Sequence, residues 1–402
     1  MNILRNIACV ISLLSLASCT DEGSLGGIGV TPDTADSKFY FSAQSAWHDV
    51  ATRGGVSGSN NSVFQHNNFA VFAAMTHNAN YIGASHHFNR MYRSKIEKIA
   101  TQWQYVATNN DYYFDLWSPN GLHSFFAFAP YDAISTDRVD GSHSVTLAPA
   151  AMGTKVTPSL ANFRVPTNSI KKGVDLMYAS AMNIEGNNYP ADAFQGSDFP
   201  AGGEVNLKFY HALSQVSFDF KLHSNLAKYL DGNVNDYIKV NKVGFTHVKN
   251  SGTFSFHYNG NAEWMQTLGN TNITWGGNDE EIFTGAKWSS TLGTAKTVSS
   301  IPHSAADGKT YIATMIPQEF SEDAAIVLEY YRESRKGDAN GGVFTNTYLL
   351  NDIASLPTNT YGNKLFKQGE NYKFLITIDN GNEVKFSITL SPWHKKEAIL
   401  PL

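Results

Sequence analysis

Apolar residues recurring at every second position constrain this chain most. In EVNLKFYHALSQVSFDFKL, residues 204–222, Val205, Leu207 and Phe209 share one alternation and Val216, Phe218 and Phe220 another, with His211–Gln215 between them. Near the end, Tyr372, Phe374, Ile376 and Ile378 lead into DNGN, and Val384, Phe386, Ile388 and Leu390 lead out. Period two gathers apolar side chains on one face of a strand, which a second layer must then cover, as in a β-sandwich. Asn380-Gly381 predicts a hairpin closed by a type I′ turn, because both central positions of that turn need positive φ. The run NNFAVFAAM at 67–75 predicts a buried strand with Phe69, Val71 and Ala73 on one face and Phe72 on the other. HSFFAFAPYD at 123–132 predicts another, ended by Pro130. In YRSKIEKIATQWQYV, Ile96, Ile99 and Trp103 have near-helical spacing while Trp103 and Tyr105 alternate, and its last part is read as a strand.

Composition agrees with an all-β fold. Charged residues are 16% of the 402 and aromatics 13%, and Thr, Asn and Gly are abundant, which favours strands joined by many turns. The length allows two domains or three, each able to close a core. The stretch NIEGNNYPADAFQGSDFPAGGE at 183–204 is rich in Gly, Pro and Asn with little periodicity, and divides the chain into β-sandwiches at 54–190 and 191–402. A formal net charge of −5 without a basic cluster argues against nucleic acid as a partner.

The first eighteen residues read as a secretory signal. Arg5 supplies a positive charge, and Ile7–Ala17 form an apolar core too short to span a bilayer. Leu16, Ala17 and Ser18 before Cys19 match the lipobox of bacterial lipoproteins, which predicts a lipid on the Cys19 thiol and a precursor held at a membrane by it. Cys9 falls within the signal, so Cys19 is the sole cysteine beyond it and no intrachain disulfide can form. Residues 20–37 are small and polar and read as a tether, and KFYFSAQ after them reads as a short strand. Arg53 is the first arginine after Cys19 and precedes Gly54 and GGVSGSNNS, too rich in small polar residues to pack. Taken alone, Thr-Arg-Gly is a surface turn, cleavable in the way loop tips generally are.

Nothing in the sequence requires an enzyme. The 13 histidines are scattered, His86-His87 is their one adjacent pair, and neither H-E-x-x-H nor G-x-S-x-G occurs. Lipidation of Cys19 removes the remaining thiol as a nucleophile. Asp111, Asp115 and the acids of NDEE at 278–281 read as turn residues, not as a facing pair of carboxylates. No catalytic residue, metal ligand or cofactor is assigned.

Taken in order along the chain, the lipobox at Cys19, ATRGG, NFAVFAA, FFAFAPY, DLMYAS, VNLKFYHALSQVSF, MIPQ, FKQGENYKF and Trp393 close to the end resemble the fimbrillin family, the type V pilins of Bacteroides-like bacteria. The resemblance implies two transthyretin-like sandwiches in tandem. It implies an exported lipoprotein that an arginine-specific protease cuts between Arg53 and Gly54, making residues 19–53 a tether and a removable strand. It further implies polymerisation by strand exchange with other pilin subunits into a cell-surface fimbria that meets host or bacterial ligands. The donor strand is then sought at the C-terminus, with Val384, Phe386, Ile388 and Leu390 as its apolar teeth. The same residues also read as the closing edge of the second sandwich, and a subunit without a free donor belongs at a fibre tip and not in its shaft. Two other readings stand beside these. One is an anchor subunit that keeps its lipid. The other is a surface glycan-binding lipoprotein that uses Trp103, Trp117, Trp264, Trp275 or Trp288 as platforms.

Overall fold

A computed structural model describes residues 40–45, 62–63, 66–76, 90–108, 112–113, 121–134, 144–147, 158–167, 174–185, 204–222, 238–257, 260–268, 271–276, 303–304, 310–311, 313–332, 342–378 and 384–392. Of the two units into which the chain divides, Met1–Ala35 has no described residue, and everything below belongs to Asp36–Leu402. Among the described residues there are strands and short 3-10 turns but no α-helix, so the all-β expectation holds.

Strands are numbered in chain order. The largest sheet has the order β2 (Ser62–Val63), β1 (Tyr40–Ser45), β11 (Glu204–His211), β10 (Met177–Glu185), β7 (Leu122–Ala129), β3 (Asn68–Thr76), β4 (Met91–Ile99) and β5 (Gln102–Val106), with β6 (Tyr112–Tyr113) also paired to β4. The segment of ambiguous period is thus strand throughout, turning at Ala100, where φ is 56°. Phe69, Val71, Ala73, Phe125, Ala127, Val205, Leu207 and Phe209 fill the inner face of this sheet. Phe41 on β1 lies 6.0 Å from Phe69 on β3, four places away in the strand order. In a flat sheet, four steps would separate them by roughly 19 Å. The sheet therefore curls until its own strands face each other across the interior. Register shifts bend strands, and two occur here, between Val71 and Ala73 and between Ala181 and Ile184. The second contains Asn183, at φ 55°.

The outer face of the same strands is also buried, so β3, β7 and β10 are apolar on both sides. Phe72, Phe126, Phe128 and Tyr178 pack there against a second sheet, β15 (Ala262–Leu268), β14 (Ser251–Phe256), β9 (Pro158–Arg164) and β8 (Ser144–Leu147). This sheet joins strands from both sides of the Gly- and Pro-rich stretch at 183–204, and β11, beyond that stretch, pairs back onto β10. Alternation shows where strands are and not which ones pair. A connection of such composition serves an antiparallel pair as well as it serves a domain boundary.

The chain passes into its last part through buried Ala212 and Leu213. There β19 (Ala313–Met315), β12 (Ser214–Leu222), β24 (Glu370–Ile378) and β25 (Val384–Pro392) form one sheet, and β16 (Thr271–Gly276), β13 (Ile238–Val248), β21 (Ala325–Arg332) and β22 (Gly342–Leu349) form another. Val216, Phe218, Phe245, Leu328, Phe374 and Ile376 share the core to which both contribute. Two short pairs, β17 (His303–Ser304) with β18 (Thr310–Tyr311) and β20 (Gln318–Glu319) with β23 (Leu365–Phe366), complete the strands. The hairpin expected at Asn380-Gly381 forms between β24 and β25. Ile378 faces Val384, whereas a two-residue loop on Asn380-Gly381 would put Glu383 opposite Ile378; the connecting residues lie outside those described.

The MIPQ motif has a structural task beside the end of β13. Gln318 is buried; its Oε1 accepts from the Lys249 N–H at 2.7 Å, and its Nε2 donates to the Lys249 and Ile316 carbonyls at 2.9 and 3.0 Å. Removing that amide strands two groups of Lys249, and an unmet buried polar group costs about 1–3 kcal/mol. Gln318→Ala is expected to lower the stability measured by urea unfolding by about that amount, and Gln318→Glu to lower it further as pH rises and the new carboxyl ionises.

Candidate functional site

The seat of the first strand is the candidate site. Strand β1 runs parallel to β11, Tyr40 beside Glu204 through Ser45 beside Phe209, and meets β2 antiparallel only at Gln44 and Ser45. Phe41 points inward and is 7% exposed, its ring edge-on to Phe69 and Phe125 at 6.0 Å each. Val205, Leu207 and Phe209 line the same interior, and Ala43 is half-buried beside them. Burying one Phe is worth about 2–3 kcal/mol. Edge-to-face ring pairs add about 0.5–1.5 kcal/mol each.

This strand is structurally separable from the rest. A parallel neighbour cannot be reached by a tight turn, and β1 is joined to β2 through residues 46–61, which include Arg53 and Gly54. Arg53, Gly54 and Cys19 lie outside the described residues. The sheet positions on either side of the Arg53 segment are described, and they put β1 and β2 side by side. A break between them would leave β1 held by backbone pairing and by the packing of Phe41 and Ala43.

A charged cluster ties the end of β11 to its surroundings. His211 Nδ1 is 2.8 Å from Asp175 Oδ1, and His66 Nε2, just after β2, is 3.9 Å from Asp175 Oδ2. Burial alone would raise the pKa of the Asp175 carboxyl, but the charge and hydrogen bond of His211, with His66 beyond, hold it below the usual carboxylate range. Burial pushes the His66 imidazole down, against the pull of Asp175. Both shifts make acid destabilising. Below pH 6.5 the unfolded chain protonates His66 before the folded chain does, and below pH 3.8 the unfolded chain protonates Asp175 first, so its contribution fades as pH falls through the depressed folded value. Asp175→Asn is expected to cost about 1–3 kcal/mol at pH 7, as for a lost hydrogen bond to a charged group, and to flatten the acid limb of unfolding midpoint against pH.

Of the proposed donor residues, Val384 faces Ile378, Phe386 faces Ile376, Ile388 faces Phe374 and Leu390 faces Tyr372 across the β24–β25 pair. Ile388 is half-buried against the core, and β25 is an edge strand. Two of the five tryptophans raised as platforms are committed to packing. Trp103 lies 5.0 Å from Phe69, and Trp264 packs on Phe163 and Phe254 while its Nε1 donates to the Ala212 carbonyl at 2.7 Å. The side chains of Trp117, Trp275 and Trp288, like His86, His87, Asp111, Asp115 and residues 278–281, lie outside the described ones. Among the described residues no group of three His, Cys, Asp or Glu side chains is placed to hold a metal. The buried parallel pairing of β1 escaped sequence reading. Its one signal was Phe41 in an alternating stretch, which does not name a partner strand.

The profile of the Fimbrillin-like family matches residues 52–393. A fimbrial protein from Bacteroides vulgatus ATCC 8482 shares the fold with a TM-score of 0.50 at 18% identity, over 81% of this chain and 93% of that one. A candidate cell adhesion protein from Bacteroides uniformis ATCC 8492 aligns over 90% of this chain and all of its own (100%), at 14% identity and a TM-score of 0.45. No curated protein matches. With the profile spanning most of its length, the chain belongs to the Fimbrillin-like family, a family of structural fimbrial proteins and not of enzymes.

Proposed function

We propose that the chain is a cell-surface fimbrial subunit that is exported as a lipoprotein through Cys19, is cut between Arg53 and Gly54 by an arginine-specific protease at the outer membrane, and polymerises by strand exchange. The observation that carries this reading is the seat of β1. The strand preceding the Arg53 segment lies in the sheet with Phe41 buried, and the strand following it lies alongside. Cutting between them would free β1 to leave and open a trough lined by Val205, Leu207, Phe209, Phe69 and Phe125. An open trough with an unpaired β11 edge is an aggregation hazard. It is also a ready site for strand addition, in which backbone bonds give affinity and alternate pockets give selectivity. A replacement for β1 runs parallel to β11 and brings an apolar side chain to the position of Phe41.

In the tandem transthyretin-like arrangement, the curled sheet with its covering sheet makes the first sandwich and the last two sheets make the second. The donor is the C-terminal segment from Val384, carrying Phe386, Ile388 and Leu390, with Ile399 and Leu400 beyond. Full pairing of β25 with β24 over nine residues favours a second reading, a tip subunit that accepts a neighbour without donating. Other pilin subunits are the partners in both cases, and host or bacterial surface molecules are the ligands of the finished fimbria.

The test is the intact mass and N-terminal sequence of the chain recovered from cell surfaces, beside an Arg53→Ala variant. A start at Gly54 without lipid, lost in the variant, is the expected result. A start at lipidated Cys19 in both would overturn processing and leave the lipid-retaining anchor. Purified cut chain that forms a ladder resistant to mild heating would place the subunit in the shaft, and its absence would place it at the tip.

A further inference from the structure

The outer edge of β22 carries a feature that neither the family nor strand exchange explains. This strand is the last in the order β16, β13, β21, β22, and among the described residues nothing pairs with its outer edge. It runs Gly-Val-Phe-Thr-Asn-Thr-Tyr-Leu over eight residues, with no charge, no proline and no register shift against β21. Natural edge strands are ordinarily protected by charge, proline, bulges or shortness. Of the other edges, β25 carries Lys385 and Pro392 and β15 carries Glu263. Instead, β22 displays Val343 at 61% exposure and Leu349 at 41%, beside Tyr331 of β21.

The sequence of β22 reads nearly the same from both ends. About Asn346 it is apolar, aromatic, Thr, Asn, Thr, aromatic, apolar. We propose that the Gly342–Leu349 edge pairs with the same edge of a second copy of this chain, antiparallel and centred on Asn346, joining two four-stranded sheets into one of eight. In that register Val343 faces Leu349, Phe344 faces Tyr348, Thr345 faces Thr347, and Asn346 faces its own copy. Every pair then matches faces. The residues alternate between exposed and half-buried along β22, and the first group meets only the first, the second only the second. Sliding by one residue would set Val343 against Tyr348 and mix the faces. Centring on Thr345 or Thr347 keeps the faces but sets an aromatic ring against an amide and shortens the ladder.

A second copy suits this edge better than a foreign chain on two grounds. The strand has no charge with which to select another partner, and it brings none to repel itself. Among the described residues the amide nitrogen of Asn346, buried within the single chain, has no hydrogen-bond partner, and two-fold pairing sets a second Asn side chain on the same face across the edge. The contact is isologous, so it closes as a pair and does not propagate. Two subunits, or two fibres, would be joined laterally, at a surface distinct from the seat of β1.

Mixed cysteine variants of the full exported chain test the register. Val343→Cys and Leu349→Cys alter exposed positions and leave the core untouched. In the paired edge, residue 343 of one copy lies about 5 Å from residue 349 of the other, but roughly 20 Å from the other residue 343. On mild oxidation the mixture is expected to give several-fold more disulfide dimer than either variant alone, with the unsubstituted chain setting the background. Equal cross-linking in the mixture and in each variant alone would overturn the register. A mixture that stays at background, from chain that sediments as a monomer, would overturn the pairing. Cross-linking only after another fimbrial subunit is added would overturn the second copy as occupant.

Discussion

The interior of the curled sheet depends on a strand that the rest of the chain reaches only through a long connection. Phe41 lies between Phe69 and Phe125, strands β3 and β7 supply those rings, and β11 supplies the backbone that holds β1 in place. With both faces of β3, β7 and β10 buried, these central strands have no solvent-facing side on which to tolerate a gap. Removing β1 would open the interior along β11 and leave the pairing of β3, β7 and β10 intact.

The remainder of the chain is built against this sheet and is not hung from a linker. Strand β9, itself paired with β8, pairs with β14 of the β14–β15 hairpin across the middle of the sequence, so the two halves share a sheet. Side chains reinforce the union. Gln368 donates to the Tyr178 hydroxyl at 3.0 Å, Ser180 donates to the Gly260 carbonyl at 2.7 Å, and Trp264 reaches the Ala212 carbonyl. Burial pushes the Tyr178 phenol well up, which keeps it neutral in this role. Gly260 has φ +87°, and a Cβ there would fall 2.6 Å from Ser180 Oγ, so the close approach of the hairpin to β10 depends on glycine. Pull applied to one half is carried to the other through hydrogen-bonded backbone and not through a flexible joint.

Local alternation was legible in the sequence and long-range pairing was not. Val205, Leu207, Phe209, Val216 and Phe218 are all buried, as period two required. The same pattern could not show that the first three face one core and the last two another, with Ala212 and Leu213 as the crossing. At Tyr92–Val106 helical spacing competed with alternation, and pairing with β3 settled it as two strands. The hairpin at residues 370–392 followed from its flanks, while its register, one residue from that of a two-residue loop, reflects a connection whose chemistry Asn-Gly alone does not specify. Of the candidate functional residues, Cys19 and Arg53 are proposed from motif and resemblance and lie outside the described residues. The seat of Phe41 needed three dimensions, because β1 and β11 are far apart in sequence.

Hydrogen exchange at the β11 amides, followed in the uncut chain and again after an arginine-specific protease has cut it and the released segment has been washed away, tests the central claim most directly. The account predicts that Val205–Phe209 are protected before the cut and exchange many-fold faster afterwards, while β3 and β7 change little. Unchanged protection of β11 after loss of β1, or equally fast exchange before it, would show that the strand bearing Phe41 is not what closes the sheet.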